Sequence, residues 1–247
     1  MFNFLFHNKK TQRKLFFQTE MHCHLVPGID DGQTTPAGGA DLVEREAQWG
    51  IQRIFCTPHI TQDTFENTPK VIADAFSLLQ QEVSDRRNLD VKLDYSAEHR
   101  LDAFFLAELE KGSIRPLPNN FLLVENPFVQ EAWDLDNRLF DLNVKGYRPV
   151  LAHPERYTYY FPHPERYEQI HAAGTLFQVN LLSLAGYYGK EIKRVAEMLI
   201  EKKLVDFIGT DMHNASHADA IEKYIGSRDY KVHMRKLDGR ILNDSAI

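Results

Sequence analysis

The sequence predicts a parallel α/β fold of the β/α-barrel kind. Short runs rich in β-forming residues alternate with longer amphipathic segments of helix length, a pattern that favours a parallel sheet over a β-sandwich. The 247 residues fit one such barrel, and nothing in the middle of the chain resembles a linker. We therefore expect one domain over residues 19–247, preceded by an N-terminal arm over residues 1–18.

Seven short runs of aliphatic, aromatic and β-branched residues are the predicted strands. They lie at residues 19–23, 51–56, 91–97, 121–125, 148–151, 176–180 and 205–209. The predicted helices between them lie at residues 40–49, 70–86, 103–111, 130–142, 164–173 and 190–203. In the last helix the apolar residues recur at helical spacing, as expected for a helix packed on the outside of a barrel. Four glycines fall at or near helix ends, as C-terminal caps do: Gly50, Gly112, Gly146 and Gly174.

Composition excludes several classes of protein. No apolar run approaches the ~20 residues of a membrane span, and a formal net charge of -6 argues against a nucleic-acid-binding surface. Cys23 and Cys56 are the two cysteines, too few for a disulfide framework, and we expect a cytoplasmic protein. The basic residues of the arm leave two interpretations open, a flexible or packed extension and a contact with an acidic membrane surface.

Two histidines one residue apart follow the first predicted strand. Successive side chains of a strand point to opposite faces, so His22 and His24 share a face while Cys23 points away. The pair is followed by Asp30 and Asp31. Such a pattern is common by chance, but here later segments supply the same kinds of side chain at the same kind of position.

Polar side chains stand at the ends of six predicted strands. The C-terminal ends of barrel strands meet at one rim, so residues far apart in sequence are neighbours there. We expect nine of them to gather: His22, His24, Asp31, His59, Glu98, Glu125, His153, Asp211 and His213.

These nine residues form a mixed nitrogen and oxygen ligand set. A set without thiolate suits manganese, iron, zinc or cobalt. A catalytic zinc ion usually takes three protein ligands, so nine ligands indicate two or three ions that share a bridging carboxylate. Without cations, so many buried charged groups would be costly.

Several motifs carry a resemblance to a known family. They resemble the polymerase and histidinol phosphatase (PHP) superfamily, and look most like the manganese-dependent bacterial protein-tyrosine phosphatases of capsule and exopolysaccharide operons. The resemblance spans residues 19 to about 226 and implies a distorted seven-stranded (β/α)7 barrel, three divalent ions, most commonly Mn2+, and activity on phosphotyrosine in a partner tyrosine kinase. The motifs are His22-Cys23-His24, Asp30-Asp31-Gly32, Thr57-Pro58-His59, Ala152-His153-Pro154-Glu155-Arg156-Tyr157 and Asp211-Met212-His213-Asn214.

The resemblance also implies roles for individual residues. Arg156 would bind phosphate, and Glu20 stands where the family usually has Asp. The metal ligands would divide as His22, His24, Glu98 and Asp211 for one ion, Glu98 with Glu125 and His153 for a second, and Asp31, His59 and His213 for the third.

The function expected from this set is metal-dependent hydrolysis of phosphotyrosine on a bacterial tyrosine kinase of capsule synthesis. Hydroxide bound to the metal ions would attack phosphorus, because metal binding lowers the pKa of water toward ~7. Tyrosinate, with a conjugate-acid pKa near 10, leaves readily. Two alternatives stay open: a small-molecule phosphoesterase of the histidinol-phosphatase type, and a noncatalytic, metal-stabilised interaction domain.

Other candidate residues have simpler interpretations. Cysteine-dependent phosphatases require an arginine six residues after the nucleophile, whereas Ile29 and Gln62 follow Cys23 and Cys56 at that distance, so we expect both cysteines to be inert core residues. Asn180 ends the sixth strand without an evident ligand role. The aromatic residues at 157–161 and 187–188 are either ordinary loop packing or a rim that holds a phenol ring. We assign the remaining histidines to surface or packing roles: His7, His99, His163, His171, His217 and His233.

Overall fold

In a computed structural model that describes residues 13–87 and 89–247, the β-strands form two parallel sheets. The strands are β1 (Thr19–Glu20), β2 (Arg53–Cys56), β3 (His59–Ile60), β4 (Lys92–Tyr95), β5 (Glu98–Arg100), β6 (Phe121–Glu125), β7 (Arg148–Ala152), β8 (Leu176–Asn180) and β9 (Phe207–Gly209). One sheet has the order β1-β2-β4 and the other the order β3-β5-β6-β7-β8-β9. Every pairing within them is parallel, as the alternation of strands and helices predicts.

Two of the predicted strands, residues 51–56 and 91–97, are each followed by a short strand that was not predicted. The chain leaves β2 at Cys56 and forms β3 after Thr57 and Pro58, and it leaves β4 at Tyr95 and forms β5 after Ser96 and Ala97. Proline has no N–H group to donate to a neighbouring strand, so the ladder breaks where Pro58 stands. The described residues therefore contain nine strands, and the predicted count of seven is not confirmed.

Backbone hydrogen bonds tie together the segments that follow the strands. The His24 N–H group donates to the Met212 carbonyl over 3.0 Å, and the Thr57 N–H group donates to the Cys23 carbonyl over 2.8 Å. Cys23 and Met212 form a parallel bridge between the segment after β1 and the segment after β9. The C-terminal ends of the first and last strands are thus held side by side.

Helices cover the outer faces of the sheets. They are α1 (Pro36–Gln48), α2 (Pro69–Ser84), α3 (Ala103–Lys111), α4 (Leu135–Val144), α5 (Glu165–Ala172), α6 (Leu181–Leu184), α7 (Lys190–Glu201), α8 (Ala215–Ile225), α9 (Arg228–Leu237) and α10 (Asn243–Ala246). Thr35 and Thr68 cap α1 and α2 by accepting hydrogen bonds from the Gly38 and Val71 N–H groups. Gly112 ends α3 in the left-handed conformation that the sequence predicts.

Two features of the helices differ from the prediction. Helix α4 begins at Leu135 instead of residue 130, because Asp134 adopts a left-handed conformation that separates the helix from the preceding loop. Helices α6, α8, α9 and α10 were not predicted. Two of them, α6 and α10, have four residues each, too few for a periodic apolar pattern to be recognised.

The apolar core lies on both sides of the strands. Leu122, Val124 and Leu151 pack with the helices, whereas the alternate residues Phe121 and Leu123 face a second apolar cluster on the other side. The second cluster also includes Met21, Phe55, Val150, Ala152, Phe207 and the C-terminal Ile247. Strands buried on both faces explain the nearly continuous apolar runs in the sequence.

The described part of the N-terminal arm packs on the domain. Residues 1–12, which include most of the predicted arm, lie outside the described residues. Phe17 is buried, and the Leu15 N–H group donates to the Trp49 carbonyl over 2.8 Å. A domain boundary at residue 19 stays a prediction. Of the helices in residues 13–87 and 89–247, none has the length and apolar character that a membrane crossing demands.

Replacement of Asn243 by alanine should destabilise the fold. The buried Asn243 amide donates to the carbonyls of Thr19 and Ile208 over 2.9 and 2.7 Å, and accepts from the Ile208 N–H group over 3.0 Å, which links β1 to β9. Unsatisfied buried polar groups cost about 1–3 kcal/mol each. We expect Asn243→Ala to lower the free energy of unfolding by about 2–4 kcal/mol in urea titrations.

The exposed Asn137, which contacts only Asp134 over 3.4 Å, provides the matched control. Asn137→Ala should change the free energy of unfolding by less than about 0.5 kcal/mol. Equal effects of the two substitutions would contradict the role given to Asn243.

Candidate metal centre

All nine predicted ligand residues lie together at the C-terminal ends of the strands. Eight of them stand in a strand or within four residues after one, and Asp31 is in the loop before α1. Their donor atoms fall into four overlapping groups within which all atoms lie no more than 4.8 Å apart. The groups are His24, Asp31, His59 and His213; His22, His24 and Asp211; His22, Glu98 and His153; and His59, Glu98 and Glu125.

Glu98, the first residue of β5, is at the centre of this cluster. Its Oε2 atom lies 3.2 Å from His22 Nε2, 3.4 Å from His24 Nε2 and 3.1 Å from His59 Nδ1. Its other oxygen, Oε1, lies 2.9 Å from His153 Nε2. The carboxylate is fully buried, so four histidine rings enclose a group that water does not reach.

Asp211 and Asp31 extend the cluster on one side of Glu98. Asp211 Oδ1 lies 3.5 Å from His22 Nε2 and 3.4 Å from His24 Nε2. Asp31 Oδ1 lies 3.5 Å from His59 Nε2 and 3.4 Å from His213 Nε2. Because the Asp31 side chain is 60% exposed, this end of the cluster is open to solvent.

Glu125 and an arginine extend the cluster on the other side. Glu125 Oε1 lies 3.6 Å from His153 Nε2. Its second oxygen accepts hydrogen bonds from Nε and Nη2 of Arg100 over 3.1 and 2.9 Å. Arg100 was not among the predicted site residues. It stands two residues after Glu98, on the same face of β5, so its position could have been inferred once Glu98 was placed.

Two of the site residues have left-handed backbones. The φ angles of His153 and Asp211 are 33° and 49°. This region disfavours residues with a side chain, and such strain persists only where the surroundings impose it. Each residue stands in the turn that follows a strand. The turn directs the His153 side chain toward Glu98 and the Asp211 side chain toward His22.

Neighbouring side chains fix the orientation of the histidines and of Asp211. Asp30 Oδ2 lies 2.8 Å from His24 Nδ1, and Gln178 Oε1 lies 2.7 Å from His22 Nδ1. Asn180 donates to Asp211 Oδ2 over 2.6 Å. Asn180 therefore has a positioning role that the sequence did not reveal. Such partners set which ring nitrogen faces the centre.

Charge interactions dominate the titration of the central groups. Burial by itself lowers the pKa of His22. The negative charges of Glu98 and Asp211 have the larger combined effect and raise the pKa from 6.5 to about 9. Burial raises the pKa of Glu98, but His22 and His59 hold it well below its usual range. Without bound cations, the centre therefore combines protonated imidazole with ionised carboxylate at neutral pH.

The arrangement of the donor atoms fits divalent cations. Glu98 Oε2 and His59 Nδ1 are buried and lie 3.1 Å apart, yet neither has a hydrogen-bond partner. Two ligand atoms bound to one ion at about 2.1 Å lie roughly 3 Å apart. This pair has the spacing of two ligand atoms on one ion but lacks the geometry of a hydrogen bond. Such a contact is expected where side chains are arranged to hold a cation.

A pocket of about 400 Å³ opens above the cluster, and Arg156 stands in its wall. Arg156 Nη1 donates to Asp211 Oδ2 over 2.8 Å. The guanidinium carbon lies 4.8 Å from the centre of the Phe128 ring and 4.4 Å from that of Tyr188. The pocket thus combines a fixed positive charge with two aromatic walls.

The predicted aromatic residues divide between packing and the pocket. Tyr157 and Tyr160 are buried in the core, whereas Tyr188 lines the pocket. His217 also lines it and accepts a hydrogen bond from the His213 N–H group over 3.3 Å. No sequence pattern singled out Phe128, whose pocket position comes from the long loop after β6. Cys23 and Cys56 are fully buried and do not line the pocket, in agreement with the prediction that they are core residues.

The chain is similar in sequence to known proteins. The model of the family "Capsular polysaccharide synthesis, CpsB/CapC" matches residues 18–227. Tyrosine-protein phosphatase YwqE of Bacillus subtilis is 29% identical over 196 residues, which cover 79% of this chain and 77% of the relative. Tyrosine-protein phosphatase CpsB of Streptococcus agalactiae is 30% identical over 202 residues, 79% of this chain and 82% of the relative.

A solved structure is also similar. It comes from crystallographic work on YwqE from Bacillus subtilis and CpsB from Streptococcus pneumoniae, described there as metal-dependent tyrosine phosphatases. The TM-score is 0.75 at 26% sequence identity, with 92% of this chain and 96% of the other covered. The α/β fold with its parallel sheets is therefore shared along nearly the whole chain.

Cation binding should release protons from the centre. The pKa of His22 is raised from 6.5 to about 9, so its ring is protonated at pH 7.5 and must lose that proton to become a ligand. The raised pKa also means that protonation stabilises the cation-free fold fully below pH 6.5, and that this stabilisation is lost as the pH rises through 9.

Isothermal titration of the cation-free protein with Mn2+ in two buffers of different ionisation enthalpy measures this release. We expect about one proton or more per protein molecule at pH 7.5, and apparent affinity that rises with pH up to about 9. His171→Gln is a suitable control, because His171 pairs with Asp206 away from the cluster. Equal heats in the two buffers would contradict the assignment.

Proposed function

We propose that this chain, which belongs to the CpsB/CapC family of capsular polysaccharide synthesis, is a divalent-cation-dependent phosphatase that hydrolyses phosphotyrosine in a protein substrate. The observation that carries the proposal is the cluster of nine histidine and carboxylate side chains, six of which line a pocket together with Arg156 and two aromatic rings. The names of the relatives support the substrate class.

We assign the nine ligands to three cations. The interatomic distances around Glu98 support a bridging role for its carboxylate, since each of its oxygens faces different histidines. The assignment is His22, His24, Glu98 and Asp211 for the first ion; Glu98, Glu125 and His153 for the second; and Asp31, His59 and His213 for the third. Two contacts cross this division: His24 Nε2 lies within reach of the third group, and His59 Nδ1 lies 3.1 Å from Glu98 Oε2, so His24 or Glu98 would also serve the third ion. A purely nitrogen and oxygen set favours Mn2+, with iron, zinc or cobalt as the alternatives.

Residues of the chain hold and orient the phosphate. The bound cations would neutralise phosphoryl oxygens and lower the pKa of the attacking water. Arg156 presents a planar guanidinium that matches phosphate oxygens, and its bond to Asp211 fixes its orientation. Phe128 and Tyr188 offer apolar surface to the phenol ring. Tyrosinate leaves without a strong general acid, because the conjugate-acid pKa is near 10.

The wider setting of the protein also belongs to this proposal. We infer that the strands form the distorted seven-stranded (β/α)7 barrel of the PHP type, in which β2 with β3 and β4 with β5 each count as one barrel strand, and that residues 19–247 are one domain. The substrate would be a tyrosine kinase of capsule or exopolysaccharide synthesis. Two buried, unpaired cysteines suit the reducing cytoplasm.

A substrate panel tests the proposed function. Purified protein with Mn2+ should release phosphate from a tyrosine-phosphorylated polypeptide at a kcat/KM at least about 100-fold above that for histidinol phosphate, because Phe128 and Tyr188 give the pocket aromatic walls that suit a phenol ring. The reverse ranking would indicate a small-molecule phosphoesterase. Cation binding without turnover of any ester would indicate a noncatalytic domain.

Replacement of Arg156 by alanine should impair catalysis without removing the cations. Loss of one preorganised donor to a developing charge costs roughly 100- to 1000-fold in rate, so we expect kcat/KM to fall by about that factor. Asp211 keeps its hydrogen bond from Asn180, so elemental analysis should find the cation content unchanged.

Arg45→Ala serves as the control for Arg156→Ala. Arg45 pairs with Asp219 and Glu222 away from the pocket, and its loss should leave kcat/KM within twofold of the wild-type value. If Arg156→Ala lost its cations instead, the residue would be part of the metal-binding structure and not a phosphate ligand.

A further inference from the structure

The loop between β6 and α4, residues 126–134, displays apolar side chains beside the pocket. Val129 is 90% exposed and Trp133 is 81% exposed, while Phe128 of the same loop lines the pocket. We define Phe128, Val129 and Trp133 as the rim patch. Large exposed apolar groups next to a binding site commonly mark a surface that contacts a partner.

The rim patch is held on a fixed support. Asn126 is fully buried, and its side chain accepts a hydrogen bond from the Ala132 N–H group over 3.3 Å and donates to the Tyr160 hydroxyl over 3.1 Å. The Tyr159 hydroxyl donates to the Pro127 carbonyl over 3.1 Å. The loop is therefore tied down at its first two residues and closed on itself by Asn126.

A second set of bonds holds the far end of the loop. Glu131 accepts from the Tyr160 hydroxyl over 2.5 Å and from Arg166 over 2.9 and 3.0 Å. Arg166 also binds Asp136 in α4 over 2.9 Å. Hydrogen bonds anchor both ends of the loop. The exposure of the apolar side chains between them therefore belongs to a well-held loop conformation and does not result from loose packing.

We propose that the rim patch binds the polypeptide that flanks the phosphotyrosine of the substrate, by contacting a large apolar side chain within a few residues of it. This inference rests on the proposed function. A phosphotyrosine side chain whose phosphate reaches Arg156 leaves its own backbone at the mouth of the pocket. Phe128 lines the pocket, and Val129 and Trp133 follow it in the same loop.

The chemistry of the patch selects the kind of neighbour. Tryptophan contributes large contact area at interfaces and is among the residue types that dominate binding energy. Asp134, which directly follows Trp133 and is exposed, disfavours an acidic segment there. The expected ligand is a phosphotyrosine peptide with a nearby aromatic or aliphatic residue and without a run of acidic ones.

A double variant measures the contribution of the patch. For Val129→Ser/Trp133→Ser we expect kcat/KM toward such a phosphopeptide to fall about tenfold or more, with the rate for p-nitrophenyl phosphate within twofold of wild type. Replacing the apolar peptide residue by serine should cause a similar loss with the wild-type enzyme and no further loss with the variant. Leu78→Ser, which changes an exposed residue of α2 that is 58% exposed, should affect neither substrate.

Fluorescence gives a readout that does not depend on turnover. The chain has two tryptophans, Trp49 at 2% exposure and Trp133 at 81%, so acrylamide quenching reports mainly Trp133. A peptide with a hydrolysis-resistant phosphonate in place of phosphotyrosine should protect Trp133 from quenching, and its serine-substituted form should not.

The outcomes separate this inference from the proposed function. If the wild type hydrolyses the phosphopeptide but Trp133 stays accessible and the double variant keeps its kcat/KM, the docking role is wrong while the phosphatase assignment stands. If the protein neither hydrolyses phosphotyrosine nor binds the phosphonate peptide, the proposed function fails. Protection of Trp133 that rises with protein concentration in the absence of peptide would assign the patch to contacts between copies of the chain and overturn the inference.

Discussion

The structure depends on the cost of burying one carboxylate. Glu98 is fully enclosed, and the rings of His22, His24, His59 and His153 surround it. A buried charge is tolerated only when paired, and here the pairing groups come from three separate segments of the chain. Without cations, protons on histidine supply part of the compensating charge; bound cations would replace those protons. The same constraint therefore links folding, metal affinity and pH.

The fold serves this constraint through irregular features of the strands. The break at Thr57 and Pro58 ends β2 and lets His59 begin a new strand beside Glu98. Left-handed backbones at His153 and Asp211 turn their side chains inward. These features cost local free energy, and they occur at the rim where the site is formed. The apolar ends of the same strands follow ordinary α/β packing.

Sequence reasoning predicted what depends on local pattern and missed what depends on tertiary contact. The strand positions and the convergence of His22, Glu98 and Asp211 follow from periodicity and strand order. The partnership between Arg100 and Glu125 was missed because an arginine in a strand carries no sign of the carboxylate that it meets 25 residues later. The late start of α4 was missed because the anchoring of the loop depends on tyrosines from another segment.

Anomalous diffraction from crystals loaded with Mn2+ would show whether the nine side chains hold cations. We expect anomalous peaks around Glu98, one of them shared between Glu98 and His153 and another beside Asp31, with ligand distances near 2.1 Å. Peaks confined to surface carboxylates, or a loaded crystal in which the nine side chains hold no ion, would contradict this expectation.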